Sequence, residues 1–183
     1  IPVIDVIAPA AEKAVKFSFA QKIGVVGTQA TIQTRAYERA LKRLSRRVQV
    51  FAKACPLFVP LVEEGWLHGK ITQEIVDTYL ESLKARGIDT LILGCTHYPL
   101  LKGAIRRAMG PRVVLVDSAG PTVYHLKHRL KGLGLLSGRR ERGRLKVFVS
   151  DIPRNFVSVG ERFLGRRLTH VQSVPVQPLI KLS

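Results

Sequence analysis

The sequence predicts an α/β fold with a mainly parallel sheet flanked by helices. Short apolar runs, each followed by turn residues, alternate along the chain with longer segments in which apolar residues recur every three or four positions. Strands that alternate with helices are typical of a parallel sheet covered by helices. The composition agrees with this class, because 46% hydrophobic and 23% charged residues in a chain of 183 are ordinary for a globular protein with a sizeable core.

Three strands and two helices are predicted in the first half of the chain. The strands cover the apolar runs 22–28, 48–54 and 88–93. A helix with a basic outer face is predicted over 31–45, where apolar residues recur at four-residue intervals. A second helix is predicted over 72–86, with Thr72 as its N-cap and Gly87 as its stop. The intervening segment 55–69 is predicted to be a loop or a short helix.

The second half of the chain continues the alternation. The predicted order is helix 100–109, strand 112–117, helix 123–133, a Gly- and Arg-rich connection 136–144, strand 146–150, helix 153–164 and strand 170–174. We find no internal repeat with a period of roughly 20 to 50 residues, which excludes a repeat array. No apolar run approaches the roughly 18 residues that a membrane-spanning helix requires, so we expect no such helix.

Charge and cysteine content narrow the functional class. Thirty Lys and Arg against thirteen Asp and Glu give a net charge of +17. This excess favours either nucleic-acid binding or a polyanionic environment, unless the arginines simply lie on solvated helix faces.

The two cysteines form no CxxC pair, which excludes a disulfide scaffold or zinc ribbon and fits a reducing compartment. The histidines outside the segment around Cys95 show no metal-ligand spacing, and no GxGxxG or P-loop motif occurs. Because the chain begins with Ile1 and without a basic leader, we expect a fragment with no signal peptide.

Cys95 is the strongest candidate for chemistry. It follows a predicted strand, sits after Gly94 and precedes a helix, which is where working residues lie in parallel α/β sheets. A helix N-terminus lowers the pKa of a thiol, and His97 is close enough in sequence to supply a proton or a positive charge. The alternative is an ordinary buried cysteine. Cys55, inside the apolar stretch around Ala54 and Pro56, is predicted to be that kind of small buried residue.

Several polar residues near strand ends have two interpretations. Thr28 and Thr31 lie at a strand-to-helix turn, where hydroxyl and free N–H groups hold a carboxylate or cap a helix. Glu63, beside Glu64, is either a pocket carboxylate or solvated surface. Asp117, which ends a predicted strand, is predicted to be a helix cap.

Four segments together resemble the glutamate racemase family. They are GVVGTQAT (24–31), ACPLFVPLVEEG (54–65), GCTHYPLL (94–101) and LVDSAGPTV (115–123). The resemblance runs in order along essentially the whole chain. Relatives that act on aspartate typically have Glu after Cys-Thr, so His97 favours glutamate.

This resemblance implies a racemase that needs no cofactor and no metal, with two pseudo-symmetric α/β domains. Residues 8–118 would form one complete domain, and 1–7 with 119–183 would be the remnant of the other. Cys95 would take the α-proton of L-glutamate, His97 would assist that thiol and Glu63 would support the same side. Thr96, Thr28 and Thr31, together with His97, would hold the substrate.

The chain departs from the family in lacking the second catalytic cysteine and an Asp-Ser segment near the N-terminus. Inversion needs an acid on the face opposite to the base, so this chain alone is predicted to be inactive. The resemblance implies a role in supplying D-glutamate for peptidoglycan in the cytoplasm. It leaves the oligomeric state open, with a homodimer as one candidate.

Two other functions stay open. A relative with a single catalytic cysteine would decarboxylate or protonate its substrate on one face only. A basic nucleic-acid-binding module would use the cations between Arg35 and Arg47, or the 139–146 cluster, and its weak, non-specific binding would fall steeply with salt.

Overall fold

The computed structural model describes residues 3–139, 143, 145–151 and 156–174, which form two compact units divided between Leu136 and Ser137. The first unit is built on a four-stranded sheet in the order β2-β1-β3-β4. Its strands are β1 (Lys22–Gly27), β2 (Gln49–Ala54), β3 (Thr90–Leu93) and β4 (Val114–Asp117). All three pairings are parallel, so the predicted α/β class is confirmed.

Seven helices accompany this sheet. They are α1 (Ile7–Phe17), α2 (Gln29–Gln33), α3 (Ala36–Leu44), α4 (Phe58–Glu63), α5 (Lys70–Ala85), α6 (Lys102–Met109) and α7 (Ala119–Gly132). A four-residue 3-10 turn, Tyr98–Leu101, precedes α6. Among the described helices, none combines the length and the apolar character needed to cross a bilayer.

Alternating residues of the buried strands divide the core into two layers. Ile23, Val25 and Ile92 pack against α1 and α3 on one face of the sheet. Val26, Leu91 and Leu93 pack against α4, α5 and α6 on the other. Because successive side chains of a strand point to opposite faces, one apolar run supplies both layers, which is typical of strands covered by helices on both sides.

Helix α1 was not predicted, although the sequence contains its start signals. The Asp5 carboxylate accepts hydrogen bonds of 2.8 Å from the backbone N–H groups of Ile7 and Ala8. Pro9 lies in the first turn, where the missing N–H has no helical partner to lose. Asp5 and Pro9, which interrupt the apolar segment at the start of the chain, therefore favour the beginning of α1 at this position.

Several predicted helix boundaries are wrong. The helix expected to begin at 123 begins at Ala119 as α7. The helix expected over 31–45 is broken by Arg35, which adopts a left-handed conformation (φ 51°) between α2 and α3. Thr72 is not the N-cap of α5, because that helix begins earlier, after Gly69. Thr72 is buried, and its hydroxyl donates to the carbonyl oxygens of Trp66 and His68, which ties the preceding loop to the helix. Gly87 (φ 64°) follows the C-terminus of α5 as predicted.

The second unit contains a parallel pair of short strands, β5 (Val147–Val149) and β6 (Val171–Ser173), and helix α8 (Phe156–Leu164). Both strands were predicted. The predicted start of the helix at 153 lies outside the described residues, as do four of the eight residues of the 139–146 cluster.

Candidate active site

The candidate site lies at the carboxyl edge of the four-stranded sheet. Thr28 directly follows β1, Cys95 lies two residues after the end of β3, and Asp117 is the last residue of β4. The chain leaves β1 for β2 through α2 and α3 on one face, and reaches β3 through α4 and α5 on the other. The strand order therefore reverses between β1 and β3, and in open α/β sheets ligands bind in the crevice at that point.

Gly94 allows the chain to turn closely over the sheet just before Cys95. A Cβ atom on Gly94 would lie 2.9 Å from the aromatic ring of Tyr37 and 2.9 Å from the carbonyl oxygen of Val26. The Gly94 N–H donates to that same carbonyl at 2.7 Å. No side chain fits between the turn and the ring below it, so glycine is required here. Tyr37 has no local signal in the sequence, because its contact with Gly94 depends on the packing of α3.

Cys95, His97 and Glu63 form a line of polar groups. The Cys95 Sγ lies 3.8 Å from the Nδ1 atom of His97, and the His97 Nε2 lies 3.5 Å from the Oε1 atom of Glu63. The Thr96 Oγ1 is 3.5 Å from the same Nδ1 atom. Each ring nitrogen thus faces a different group, the thiol on one side and the carboxylate on the other. A carboxylate that faces the far nitrogen of an imidazole orients the ring toward a nucleophile or base.

The thiol of Cys95 is half-buried. Burial raises its pKa, and hydrogen bonding from the backbone of His97 and Tyr98 and from Thr96 lowers it by less, so that the net shift is upward. We expected a helix N-terminus to lower the pKa of Cys95, and this expectation is wrong because the net shift is upward. The residues after Cys95 enter a 3-10 turn, and α6 begins only at Lys102, seven residues after the cysteine.

Thr28 and Thr31 face each other at the end of β1. The Thr28 Oγ1 accepts a hydrogen bond from the Thr31 N–H at 3.2 Å, and the two hydroxyl oxygens are 3.0 Å apart. Thr28 is therefore the N-cap of α2, as one of the two interpretations held. Gly27 permits this approach, since a Cβ there would lie 2.9 Å from the Thr31 methyl group. Whether these hydroxyls also hold a substrate stays a prediction.

Cys55 lies at the same edge of the sheet but is inaccessible. Its side chain has 0% exposure, and burial raises the pKa of its thiol to about 12. The Tyr98 hydroxyl donates to the Cys55 carbonyl oxygen at 2.8 Å, and the Tyr98 ring packs edge-on against Phe58 with centroids 5.0 Å apart. The position of Cys55 agrees with the predicted structural role. Tyr98, which joins the two cysteine turns, was missed.

Asp117, the remaining candidate at this edge of the sheet, has a structural role. The Asp117 carboxylate accepts hydrogen bonds from the N–H groups of Ala119 and Gly120, so it caps α7 as predicted. Burial opposes ionisation of Asp117, but its hydrogen bond and ion pair with Lys102 hold the pKa of the carboxyl below its usual range. Within the described residues, no group of three His, Cys, Asp or Glu is placed to hold a metal ion.

Comparison with known proteins places this arrangement among racemases. The family model described as Asp/Glu/hydantoin racemase matches residues 1–124. The chain is 46% identical over 177 residues to a glutamate racemase from Geobacter metallireducens, covering 97% of this chain and 66% of that protein. It is 45% identical over 174 residues to a glutamate racemase from Neisseria meningitidis, covering 95% of this chain and 64% of that protein.

Solved structures give the same result. Glutamate racemase isoform RacE1 from Bacillus anthracis superimposes with a TM-score of 0.87 at 36% identity, covering 99% of this chain and 66% of that one. Glutamate racemase from Francisella tularensis in complex with D-glutamate superimposes with a TM-score of 0.86 at 34% identity, covering 95% and 64%. The chain thus spans somewhat less than two thirds of the length of the proteins it resembles.

Proposed function

Because the chain belongs to the Asp/Glu/hydantoin racemase family, we propose that the native protein interconverts L- and D-glutamate without a cofactor. The observation that carries the proposal is the line of Cys95, His97 and Glu63 beside the point where the strand order reverses. Support for the substrate comes from the relatives, which are named glutamate racemases, and from the similar Francisella tularensis structure, which is described in complex with D-glutamate.

In the proposed reaction, Cys95 acts on one face of the substrate. Its thiolate takes the α-proton of L-glutamate, and the electron pair of the broken C–H bond stays on the α-carbon and its carboxylate as a carbanion. An acid on the opposite face then donates a proton to the α-carbon and gives D-glutamate. In the reverse direction the Cys95 thiol supplies the proton. Two groups on opposite faces are needed, because a single base that returns its proton regenerates the starting enantiomer.

His97 and Glu63 serve the Cys95 side in this proposal. The free thiol is mostly protonated at neutral pH, because burial outweighs the hydrogen bonds that favour the thiolate. A neighbouring imidazole that accepts the proton, or that is itself protonated, favours the thiolate when substrate is bound. Glu63 orients that ring through its 3.5 Å contact with Nε2. Thr96, Thr28 and Thr31 lie at the same edge, and we assign them to holding the substrate.

The acid for the opposite face lies, we propose, outside these 183 residues. The only other thiol of the chain is Cys55, which is fully buried. Residues 8–118 would then be one complete domain, with 1–7 and 119–183 belonging to a second, pseudo-symmetric domain that carries the other cysteine. We also propose a homodimer, a cytoplasmic location and a role in supplying D-glutamate for peptidoglycan, each on the family resemblance alone.

A one-face enzyme is the second candidate, because the chain has one accessible thiol. Incubation of the native protein with L-glutamate and with D-glutamate in D2O separates the two possibilities. A racemase forms the opposite enantiomer from either substrate and incorporates deuterium at the α-carbon of the product. Exchange of the α-proton without inversion, or loss of CO2 from a malonate-type substrate, would establish the one-face reaction instead.

Cys95→Ala tests the assignment of the base. We expect racemisation to fall by about 100- to 10,000-fold or more, the usual contribution of a positioned acid–base group. Cys55→Ala is the matched control, because it removes the same thiol from the same edge of the sheet and should leave turnover of the folded protein unchanged. A racemisation rate for Cys95→Ala close to that of the unmodified protein would refute the proposed mechanism.

A further inference from the structure

A rigid turn at the amino-terminal edge of the sheet exposes two phenylalanines. Phe17 ends α1 with 51% of its surface exposed, and Phe19 is 84% exposed. Ser18, between them, is buried, and its hydroxyl donates to the Asp89 carboxylate at 2.6 Å. The Ala20 N–H donates to the other oxygen of the same carboxylate. Because the turn is held from inside through Ser18 and Ala20, the two rings on either side of Ser18 are kept at the surface.

A second loop lies against this turn. The Ser45 hydroxyl donates to the side-chain oxygen of Gln21 at 2.9 Å, and the Gln49 N–H donates to the Gln21 carbonyl at 2.7 Å. This loop begins with Ser45, directly after Leu44, the last residue of α3, which is 46% exposed. Both loops lead into the first residues of β1 and β2, at the edge of the sheet opposite to Cys95. The surface is therefore separate from the candidate active site.

The side chains around these rings are basic. We define the basic edge as the exposed residues Lys16, Phe17, Phe19, Arg43, Leu44, Arg46 and Arg47. Among the described residues, no carboxylate forms an ion pair with its four cations. Segment 13–37 has four Lys or Arg residues, segment 39–62 has six, and neither contains Asp or Glu.

The charge excess is larger on one face of the sheet than on the other, since segment 13–62 has ten Lys or Arg against one Glu, whereas segment 63–112, which includes α5 and α6, has seven against six acidic residues. Helices α1 and α3 pack together on the face that carries the basic edge. Helix α5, on the other face, has three acidic residues, Glu74, Asp77 and Glu81, against two lysines, Lys70 and Lys84. A charge excess that comes only from composition would be spread over both faces, whereas a binding surface concentrates it on one.

We propose that the basic edge binds single-stranded nucleic acid, with Phe17 and Phe19 stacking on bases and the surrounding cations contacting phosphates. Exposed aromatic rings within a positively charged surface are the combination by which proteins hold single strands without sequence preference. A lipid surface fits less well. The apolar faces of α1 and α3 are buried against the sheet through residues such as Ala14 and Leu41, so neither helix has an apolar face for insertion.

Binding is measured by fluorescence anisotropy of the native protein with labelled oligothymidylate and oligouridylate of about 15 nucleotides. We expect Phe17→Ala and Phe19→Ala each to weaken binding by about 5- to 100-fold. Trp66→Ala is the matched control, because Trp66 is 53% exposed but lies beyond α4 on the other face. Equal weakening by Trp66→Ala, or no weakening by either Phe variant, would overturn the proposal.

Two double variants of equal net charge test whether the position of the cations determines binding. Arg46→Ala/Arg47→Ala and Lys70→Ala/Lys84→Ala each remove two positive charges, the first pair from the basic edge and the second from α5. We expect only the first variant to weaken binding and to reduce the slope of log K against log salt by about 1.4. Equal losses in both variants would show a composition effect and overturn the proposal.

Two further measurements separate this surface from other functions. Sedimentation with phosphatidylcholine vesicles that contain phosphatidylserine, in the absence of oligonucleotide binding, would assign the basic edge to lipid and refute the proposal. Glutamate racemisation by the three basic-edge variants, Phe17→Ala, Phe19→Ala and Arg46→Ala/Arg47→Ala, should match that of the unmodified protein, because this edge of the sheet is opposite to Cys95. A failure of the racemase assignment therefore leaves the binding result unaffected, and the reverse also holds.

Discussion

The turns that follow β2 and β3 place a cysteine at the same edge of the sheet in two different environments. Cys55 comes directly after β2 and is fully buried, and burial raises the pKa of its thiol to about 12. Cys95 comes after β3 and is half-buried beside His97. The residues after each cysteine make the difference: Leu57 and Phe58 begin an apolar helix over the first, whereas Thr96 and His97 keep polar groups beside the second. A strand end alone therefore does not make a reactive thiol.

The sharpest contrast between the two turns should be their reactivity toward alkylation. Iodoacetamide should modify Cys95 in the folded protein at least about 100-fold faster than Cys55, because the thiolate must be both formed and accessible. Since burial raises the pKa of Cys95, its rate should keep increasing above the pH at which free cysteine is half ionised. Peptide mass spectrometry at successive pH values measures both rates. Comparable labelling of the two cysteines in folded protein would contradict the burial difference.

Replacing His97 should make the Cys95 turn resemble the Cys55 turn, which lacks an imidazole. We expect His97→Asn to lower racemisation by about 100-fold, because the thiol loses the group that favours its ionisation. The pH profile of kcat/KM should change as well, which a merely structural role would not produce. His68→Asn, in the exposed loop before α5, is the control. An unchanged pH profile for His97→Asn would exclude this role.

Gly94→Ala should destabilise the turn that carries Cys95. The added Cβ would meet the Tyr37 ring and the Val26 carbonyl at 2.9 Å, so we expect the free energy of unfolding to fall by about 1–3 kcal/mol, as for overpacking. Urea denaturation measures this change. Gly103→Ala is the control, because a Cβ there would make only an ordinary contact of 3.7 Å with the Arg107 guanidinium and should stabilise α6 by about 0.5–1 kcal/mol. Equal behaviour of the two variants would contradict the close approach at Gly94.

Tyr98→Phe should have the smallest effect, although it removes the link between the two turns. The lost hydrogen bond to the Cys55 carbonyl is expected to cost about 1 kcal/mol of stability, while the ring keeps its contact with Phe58. Tyr79→Phe is a suitable control, since Tyr79 also packs on Phe58 but is only partly buried. Racemisation should change little. A loss of activity larger than the loss of stability would show that Tyr98 positions Cys95.

The four strands of the first unit were predicted because each is an apolar run whose side chains contribute to both layers of the core. The helix boundaries were less well predicted. Asp5 and Pro9 look like interruptions of an apolar segment until the N-terminus of α1 is known, and the left-handed Arg35 has no signature that distinguishes it from a helical arginine. At the site, the pairing of Cys95 with His97 follows from their spacing in the sequence. The roles of Glu63 and the threonines came from the family resemblance.

The sequence by itself determined the alternating order of strands and helices, the glycine before Cys95 and the nearby His97, because these depend on local pattern and spacing. Only the tertiary structure decided which carboxylate faces His97 and which aromatic ring lies under Gly94. Glu63 and His97 are 34 positions apart and meet because α4 follows β2 at the edge of the sheet where β3 ends. Ser18 and Asp89 are 71 positions apart. Contacts across such separations depend on how the layers pack, which no local pattern encodes.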